Sequence, residues 1–422
     1  MAKKSKKIIS NLTRLAAGLF LIVLIWSCAS VPGLKDESIA SHIRLPFVRV
    51  LLEDNSREII VGAKGSYAIE CLTGKEQKVF YSSQPVELLN RADRIRVNNT
   101  SGDMIIQGMN EVNIIPRERG ARVRIGDKTY RGIMKIIPHG ENLRLVNIIY
   151  IEDYLRGVVP PEIGPRQREE FEAVKAQAIA ARTYTMAHMR QYGKEPFDVK
   201  STVIDQVYQG VGAEVAMVNQ AIDSTSGSVL MSDNKFINAY YHSTCGGMTD
   251  DITDVWDRKE TSYLKPVVDS ACSWSKYFNW NERFTEEQLR RRLEQYLTGE
   301  RGRDIRLTQI RDITVVGRTA GGRVQKMIIH TADDNFSFYK DRIRWVIGRS
   351  SNPELILPSD RFEVKISRDN SGDVYSINFE GSGYGHGVGM CQCGAIGKAR
   401  RGWQSNEILT YFYKDVSIKK LY

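Results

Sequence analysis

A glycine-rich stretch near the end of the chain combines residue types that could do chemistry. It is GSGYGHGVGMCQCG, at residues 381–394, in which alternate glycines surround His386 and two cysteines follow. Glycine-rich loops cradle phosphate groups with their backbone N–H groups. A Cys-x-Cys pair beside a histidine offers thiolate and imidazole ligands to a metal such as zinc. Phosphate binding and metal binding are therefore the two chemistries to test against the spacing.

The spacing excludes a nucleotide site of either common kind. The dinucleotide fingerprint G-x-G-x-x-G has its third glycine replaced by His386, Val388 or Met390, depending on which glycine begins the motif. A P-loop needs G-K-[ST] after its glycines, and that sequence does not follow here.

The two cysteines leave both a metal site and a packing role open. Cys391 and Cys393 could bind zinc with His386, but Cys-x-Cys is not the usual C-x₂-C knuckle. The alternative is two small buried residues at the start of a helix. Alternate glycines also let a ligand approach the backbone closely, and Tyr384 and His386 between them suit a sugar.

The first 28 residues have the layout of a secretory signal. A basic start without acidic residues is followed by an apolar run at 15–26 that is too short to span a bilayer. The run ends in IWSCAS, which resembles a lipobox and predicts lipidation of Cys28; ordinary cleavage nearby and an uncleaved anchor are the alternatives. Loss of five positive charges lowers the net charge from +10 to about +5. That mild excess suits a polyanionic wall or a membrane surface and does not indicate nucleic-acid binding.

The rest of the chain predicts an α+β fold. Residues 29–45 are a linker, and short apolar runs punctuated by Gly, Asn and Asp predict a β-rich N-terminal domain over 46–145. Residues 146–422 mix helices and strands. Helix patterns occur at 168–193, 213–225 and 285–297.

Several blocks of the second region resemble, in order, the SpoIID/LytB family of bacterial cell-wall proteins. They are EDYLRGVVPPEI, EAVKAQAIAARTY, DQVYQG, YYHSTCGGMT, YLKPVVDSAC, GYGHGVGMCQCGA and ILTYFYKDVSI. Together they span residues 150–418, so the resemblance is more specific than any one motif. It implies an exported cell-envelope protein that binds peptidoglycan glycan strands in a groove.

The resemblance also implies a catalytic glutamate, Glu162 in VVPPEI. The family's best-understood member is a lytic transglycosylase, which cleaves the MurNAc–GlcNAc bond without consuming water. Glu162 would protonate the leaving oxygen and then accept the proton of the sugar's C6 hydroxyl. A surface glutamate near a helix start is the alternative. Valine, proline and isoleucine neighbours in VVPPEI would keep the carboxyl protonated near neutral pH.

Further residues match motif positions and are expected to bind substrate. They are Lys175, Arg182, Tyr184, Gln206, Tyr208, His242, Ser243, Tyr384, His386 and Gln392. Lys175 and Arg182 are two helical turns apart and can face one side, where they would hold anionic groups or orient Glu162. A solvated helix face is the alternative for these two cations.

The sequence departs from the family where some members bind zinc through a histidine and two cysteines. Lys200 and Asp205 stand about where those thiols would be, so no metal is expected at this position and no cofactor is predicted. Asp205 is expected to hold the loop by hydrogen bonds instead.

The remaining cysteines need another explanation. Cys245 and Cys272 flank the motif blocks, and a disulfide between them is the first prediction. A metal site joining either one to Cys391 or Cys393 is the alternative.

A second function from another class fits the same resemblance. Some family members are described as amidase enhancers, which bind glycan and stimulate a partner cell-wall amidase. Glu162 would then only contact sugar. A purely structural wall-binding protein would also keep the groove.

Overall fold

The structure is a computed structural model that describes residues 46–118, 120–352 and 354–422. These residues belong to one unit, Leu45–Tyr422. The signal, the linker and the lipidation site at Cys28 lie outside the described residues and stay predictions. Among the helices that the structure describes, none combines the length and apolar character needed to cross a bilayer.

Short strands fill the chain up to residue 150. They are β1 (Phe47–Ser56), β2 (Glu58–Lys64), β3 (Tyr67–Thr73), β4 (Glu76–Ser82), β5 (Val86–Asn90), β6 (Ile95–Asn99), β7 (Met104–Met109), β8 (Glu111–Pro116), β9 (Arg122–Ile125), β10 (Lys128–Tyr130), β11 (Ile133–His139) and β12 (Asn142–Tyr150). In several of these strands the side chains alternate between core and surface. In β5, for example, Val86 and Leu88 are buried while Glu87 and Leu89 are partly exposed.

These strands form two antiparallel sheets, the larger of which gains one strand from farther along the chain. The orders are β13-β1-β12-β11-β8-β3-β4, with β13 at Val199–Lys200, and β10-β9-β2-β5-β6-β7. Val50 of β1 lies beside Val199 in a parallel pair. The predicted boundary between residues 145 and 146 falls inside β12.

Helix α1 (Ile151–Ile163) follows β12 directly, and further α-helices are interleaved with strands along the rest of the chain. They are α2 (Phe171–His188), α3 (Ala216–Ser224), α4 (Ile252–Val255), α5 (Glu286–Arg301), α6 (Arg342–Ile347), α7 (Gln392–Ala399) and α8 (Ser405–Phe412). Residues 176–185 of α2 are all buried. This stretch is rich in alanine, whose small side chain lets α1, α3, α7 and α8 pack closely around α2.

The remaining strands build smaller sheets. They are β14 (Ser228–Ser232), β15 (Lys235–Phe236), β16 (Tyr241–His242), β17 (Asn279–Thr285), β18 (Ile310–Arg318), β19 (Val324–Thr331), β20 (Asn335–Tyr339), β21 (Phe362–Arg368), β22 (Val374–Ser382), β23 (Met390–Cys391) and β24 (Ser417–Lys420). The sheets β17-β22-β21 and β18-β19-β20 share a second hydrophobic core with α5 and α6.

One short pairing positions the motif blocks. Strand β16 pairs in parallel with β23, so that Tyr241 lies opposite Met390 and His242 opposite Cys391. A further bridge joins Thr244 to Tyr384. The YYHSTC block therefore lies against the glycine-rich stretch.

The predicted α+β class is confirmed, and the three predicted helices are present. The helices predicted at 168–193 and 213–225 are shorter than expected, whereas the one predicted at 285–297 extends to Arg301. The sequence pattern did not predict helix α1. Gly157, Pro160 and Pro161 weaken the helical signal of this segment. Burial of one side of α1 against α2 and the sheet outweighs that weak propensity.

Candidate active site around Glu162

Glu162 lies in the last turn of α1, directly after two prolines. Pro161 has no N–H and cannot donate to the carbonyl of Gly157 four residues earlier. The backbone N–H of Gln209 donates to that carbonyl instead, over 3.2 Å. The proline therefore leaves an acceptor that fixes the DQVYQG loop against the end of α1.

A glycine in α1 gives this loop room to approach. A Cβ at Gly157 would lie 2.5 Å from Cε2 of Tyr208. The buried ring of Tyr208 packs against Tyr154 and Tyr130, and its hydroxyl donates to Oδ1 of Asn147 over 2.9 Å. The expected substrate contact of Tyr208 is therefore wrong, because both its ring and its hydroxyl are engaged inside the protein.

The Glu162 carboxyl is held in a largely buried position. Its Oε1 accepts a hydrogen bond from the backbone N–H of Val207 over 3.2 Å. Burial raises the pKa of Glu162 to about 7, and the Val207 N–H opposes this shift. Burial and then the charge of Glu162 raise the pKa of the Tyr241 hydroxyl, which stays protonated. A carboxyl with this pKa can both donate and accept a proton near neutral pH.

Gln206 positions Tyr241 from inside the protein. Its amide makes four hydrogen bonds of 2.8 to 3.3 Å, in which Oε1 accepts from the hydroxyls of Tyr154 and Thr185 and Nε2 donates to the carbonyl of Ala181 and the hydroxyl of Tyr241. Gln206 is 1% exposed. The expected substrate contact is wrong for Gln206, since its hydrogen-bonding groups are engaged by buried neighbours.

Gln392 connects the glycine-rich stretch to Glu162. Its Nε2 donates to the backbone carbonyl of Glu162 over 3.0 Å and to Oε1 of Gln177 in α2 over 3.3 Å. Gln392 is buried. It therefore supports the position of Glu162 rather than presenting its amide to a sugar as expected.

The glycines of residues 381–394 make room for the protein's own atoms. A Cβ at Gly387, where φ is +86°, would lie 2.3 Å from Nε of Arg323. One at Gly389, where φ is +71°, would lie 2.1 Å from the carbonyl oxygen of Tyr240. Arg323 is itself buried and paired with Asp250 over 2.9 Å. The expectation that these glycines expose backbone to a ligand is therefore wrong at both positions.

The two aromatic residues of this stretch differ in what they can offer a sugar. His386 has Nε2 against the carbonyl of Tyr241 at 2.9 Å, while its Nδ1 accepts from the N–H of Val388 over 3.1 Å. Burial lowers the pKa of His386 to about 4. The imidazole is thus neutral and engaged within the protein, contrary to the expected sugar contact. Tyr384 packs against Tyr277 and is partly exposed. Its side chain is therefore accessible to a sugar, and the predicted contact stays a prediction.

His242 and Ser243 lie on and directly after β16. His242 is buried, its Nδ1 faces the carbonyl of Val388 at 3.2 Å, and burial holds its pKa well below the usual range. Because the His242 side chain is buried, the structure does not support its predicted contact with substrate. Ser243 is partly exposed, and its carbonyl accepts from the N–H of Cys393 over 2.9 Å. The substrate contact of Ser243 stays a prediction.

The two cations of α2 have different surroundings. The guanidinium of Arg182 contacts both carboxylate oxygens of Glu152, at 2.9 and 2.5 Å, and donates to the carbonyl of Ser228. Arg182 is 0% exposed, so the expected substrate contact is wrong for this residue. Lys175 pairs with Glu172 over 2.9 Å and is partly exposed, which keeps it as a candidate.

Tyr184 lines a cavity of about 460 Å³ with aromatic and charged walls. The lining residues include Tyr184, His188, Asp205, Tyr240, Trp256 and Arg258. The rings of Tyr184 and His188 stack with centroids 3.9 Å apart, and those of Tyr240 and Trp256 lie 5.0 Å apart. Aromatic faces next to charged groups suit the apolar faces and hydroxyl edges of a sugar.

Asp205 stabilises the loop where some family members are expected to bind zinc. Its Oδ2 accepts from the N–H of Lys200 over 2.7 Å and from the hydroxyl of Tyr192 over 2.8 Å. Its Oδ1 accepts from the side-chain amide of Gln191 over 2.8 Å. The expectation that Asp205 holds this loop by hydrogen bonds is confirmed, with the carboxylate as acceptor in each.

Three aromatic residues of this region were not predicted from the sequence. Tyr240 and Trp256 line the Tyr184 cavity, and the charge of Glu162 helps to raise the pKa of Tyr241. The YYHSTC block contained a signal for the tyrosines. That block could not show which of the two adjacent rings lines the cavity, because a two-residue strand has no alternation pattern that would orient its side chains.

The predicted disulfide is not formed. The five cysteines that the structure describes are free thiols. The sulfurs of Cys245 and Cys272 lie 3.4 Å apart, which is contact without a bond, since a disulfide requires about 2.05 Å. The predicted bond is therefore absent, although the two side chains are in contact.

Comparisons with known proteins agree with the arrangement of these blocks. The family model "Stage II sporulation protein" (SpoIID) matches residues 139–231, which carry Glu162, and a domain of unknown function, DUF8618, matches 272–389. An uncharacterized protein of Brachyspira hyodysenteriae is 30% identical over 90% of this chain and 95% of its own length.

Two relatives from Bacillus subtilis carry functional names. The amidase enhancer is 28% identical over 63% of this chain, which spans 40% of that relative. Stage II sporulation protein D is 29% identical over 65% of this chain and 76% of that relative. The ordered motif blocks and these matches together show that the chain belongs to the SpoIID/LytB family, with a cell-wall-related role.

Proposed function

We propose that this protein is a peptidoglycan lytic transglycosylase that cleaves the MurNAc–GlcNAc bond, with Glu162 as general acid and base. One observation carries the proposal: burial raises the pKa of the Glu162 carboxyl to about 7. An acid that protonates a glycosidic oxygen must keep its proton near neutral pH, whereas an ordinary glutamate has lost it.

A single carboxyl is sufficient for this reaction. Glu162 donates its proton to the glycosidic oxygen as the bond from that oxygen to C1 of MurNAc breaks. The C6 hydroxyl of the same MurNAc then attacks C1 and transfers its proton to the Glu162 carboxylate. The new C1–O6 bond closes a 1,6-anhydro ring, the acid is restored, and no water is consumed. Glycosidases that use water need a second carboxyl to activate it or to act as nucleophile.

The surroundings of Glu162 support this role. Val207 binds one carboxylate oxygen and Gln392 binds the backbone carbonyl, so the side chain begins from a restrained position. The aromatic and charged lining of the Tyr184 cavity supports a glycan groove that includes this cavity.

The proposal includes a place in the cell. The signal-like start and Cys28 support an exported, lipid-anchored protein of the cell envelope. There the residues expected to bind substrate, chiefly Lys175, Tyr184, Ser243 and Tyr384, would contact glycan strands.

The alternative is an amidase enhancer that binds glycan strands and stimulates a partner cell-wall amidase. The similarity to the amidase enhancer of Bacillus subtilis favours this second candidate. In that case Glu162 contacts sugar without transferring a proton.

The deciding experiment digests purified glycan strands, with and without stem peptides, and measures 1,6-anhydro ends by mass spectrometry. We expect such ends from the wild type and from the control Glu287→Gln, which changes an exposed glutamate of α5. Glu162→Gln should yield none. Absence of anhydro ends with the wild type, or an undiminished yield from Glu162→Gln, would overturn the enzymatic proposal. Stimulation of a purified amidase by both proteins would then establish the alternative.

A further inference from the structure

Four possible metal ligands from three segments meet inside the protein. The sulfurs of Cys245, Cys272 and Cys391 and a carboxylate oxygen of Asp269 all lie within 4.8 Å of one another. The Cys245 sulfur is 3.4 Å from that of Cys272 and 3.6 Å from Oδ2 of Asp269. Each of the four residues is at most 1% exposed. We call these four residues the thiol cluster.

The spacing of the thiol cluster suits a tetrahedral zinc ion. Zinc binds sulfur at about 2.3 Å, which places two sulfurs of a tetrahedron about 3.8 Å apart. The Cys245–Cys272 sulfur separation of 3.4 Å is close to that value and no pair of ligand atoms is more than 4.8 Å apart, so movements of about 1 Å or less would close the ligand set. A disulfide would use only two of the three sulfurs and would leave a buried thiol and carboxylate beside it.

Backbone N–H groups are aimed at the sulfurs. The sulfur of Cys391 accepts from the N–H of Cys245 and of Gly394, each over 3.2 Å. The sulfur of Cys245 accepts from the N–H of Gly247 over 3.4 Å. Such donors stabilise the thiolate, which is the form that binds metal, more than the thiol.

The Asp269 carboxylate is oriented by partners outside the cluster. Its Oδ1 accepts from Nζ of Lys398 over 2.9 Å and from the N–H of Ala271 over 3.2 Å, which leaves Oδ2 toward the sulfurs. Lys398 is buried under the ring of Tyr411. A Cβ at Gly394 would lie 1.8 Å from Oδ2, so only glycine lets the carboxylate reach this position. Outer partners that fix a ligand in this way are typical of metal sites.

The charge balance also favours a cation. Three thiolates and Asp269 carry four formal negative charges, and Lys398 offsets one of them. A divalent ion would offset two more, and the N–H donors would stabilise the remainder. Binding would release up to three thiol protons to solvent.

We propose that Cys245, Cys272, Cys391 and Asp269 form a closed, structural zinc site. Thiolate ligands select zinc over magnesium or calcium, and four protein ligands leave no open position for chemistry. The site uses no residue of the Lys200–Asp205 loop, where the family resemblance places a zinc site in some members. It joins the segment after β16, the 3-10 helix Ser270–Cys272 and the start of α7. Because Gln392 follows Cys391 directly, the metal would fix the residue that contacts Glu162.

Metal analysis of the purified full chain tests this proposal. The protein is produced with zinc in the medium and purified under mild reduction, and zinc is measured by plasma mass spectrometry. We expect about one zinc per chain in the wild type and in Cys393→Ser, whose cysteine is outside the cluster. Cys245→Ser, Cys272→Ser and Cys391→Ser should lose most of the zinc. Zinc below a tenth of an equivalent in the wild type would overturn the proposal.

A second measurement on the wild type does not depend on whether the variants fold. Zinc is removed with a chelator, Co²⁺ is added, and the absorption spectrum is recorded. Thiolate coordination in a tetrahedron should produce sulfur-to-cobalt charge transfer and intense d–d bands, which zinc then abolishes. Peptide mapping without reductant tests the alternative, which is a disulfide between Cys245 and Cys272. A Cys245–Cys272 disulfide in freshly purified protein without bound zinc would contradict the proposal. Glycan cleavage is not used as a readout, so failure here is separate from failure of the proposed function.

Discussion

The side-chain amide of Gln392 donates a hydrogen bond to the backbone carbonyl of Glu162 over 3.0 Å. The two residues are 230 positions apart in the chain. The same amide also contacts Gln177, so one side chain links α7, α1 and α2. The glycine-rich stretch therefore reaches the candidate acid through Gln392, while His386 is engaged by Tyr241 and Val388.

Gln392→Ala should lower the rate of glycan cleavage while leaving the protein folded. Loss of the two hydrogen bonds should lower the free energy of unfolding by about 1–3 kcal/mol. We expect a fall in kcat of about tenfold with little change in KM, because the acid is displaced while the aromatic cavity is intact. Initial rates of anhydro-end formation and thermal denaturation measure both effects. Gln404→Ala, at an exposed helix cap, is the control, and an unchanged kcat for Gln392→Ala would show that this contact does not position Glu162.

Glu162→Gln should stabilise the protein at alkaline pH. The native pKa of about 7 lies above the ordinary 4.5, so the native state holds a proton that the unfolded state has lost between these pH values. Wild-type stability therefore falls as pH rises through this window, and a neutral amide avoids the loss. The gain should approach about 3 kcal/mol above pH 7 and vanish below pH 4.5. Urea unfolding of both proteins at several pH values provides the comparison. A gain that does not vary with pH would mean that the Glu162 pKa is ordinary.

The rate of glycan cleavage should decline as pH rises above about 7. Glu162 must carry its proton to act as the acid, and its pKa is about 7. On the alkaline side of the profile, kcat/KM is expected to fall tenfold per pH unit well above the pKa. A plot of kcat/KM against pH measures this decline, and circular dichroism checks that the protein stays folded. A flat profile up to pH 9 would show that another group donates the proton.

Arg182→Met should destabilise the protein strongly through its fold. The change leaves the Glu152 carboxylate buried without its partner, which costs about 3–5 kcal/mol. Lys175→Met breaks a more exposed pair with Glu172 and should cost less than about 1 kcal/mol. Denaturant midpoints and slopes distinguish the two cases. If Arg182→Met were as stable as the wild type and lost only glycan binding, Arg182 would be a substrate contact after all.

Gly157→Ala should displace the DQVYQG loop. The added methyl group would meet the Tyr208 ring at 2.5 Å, and overpacking of this kind costs about 1–3 kcal/mol. Because Val207 precedes Tyr208, the hydrogen bond to Glu162 should weaken too. Gly212→Ala, where a Cβ meets no atom within 4 Å, is the control. Unfolding curves and cleavage rates of the two variants should differ, and equal behaviour would show that α1 and the loop can shift apart without cost.

Much of the site was accessible from local sequence, but the functions of individual side chains were not. Glu162 and the blocks around it are recognisable because they occur in a fixed order. The same blocks contain Arg182, Gln206 and Tyr208, which the fold buries. Motif membership did not distinguish a side chain that faces solvent from one that supports it, because a motif specifies residue types and spacing but not exposure.

The sequence by itself determined the α+β class and the long alanine-rich helix, because these depend on periodicity, and its resemblance to the SpoIID/LytB family implied Glu162 as the candidate acid. Only the tertiary structure decided how acidic Glu162 is and where the cysteines meet. Burial of the carboxyl results from contacts with segments such as Val207, far along the chain. Cys245 and Cys391 are 146 positions apart and approach through the pairing of β16 with β23. Neither a dielectric environment nor a contact across that separation is a local property of the sequence.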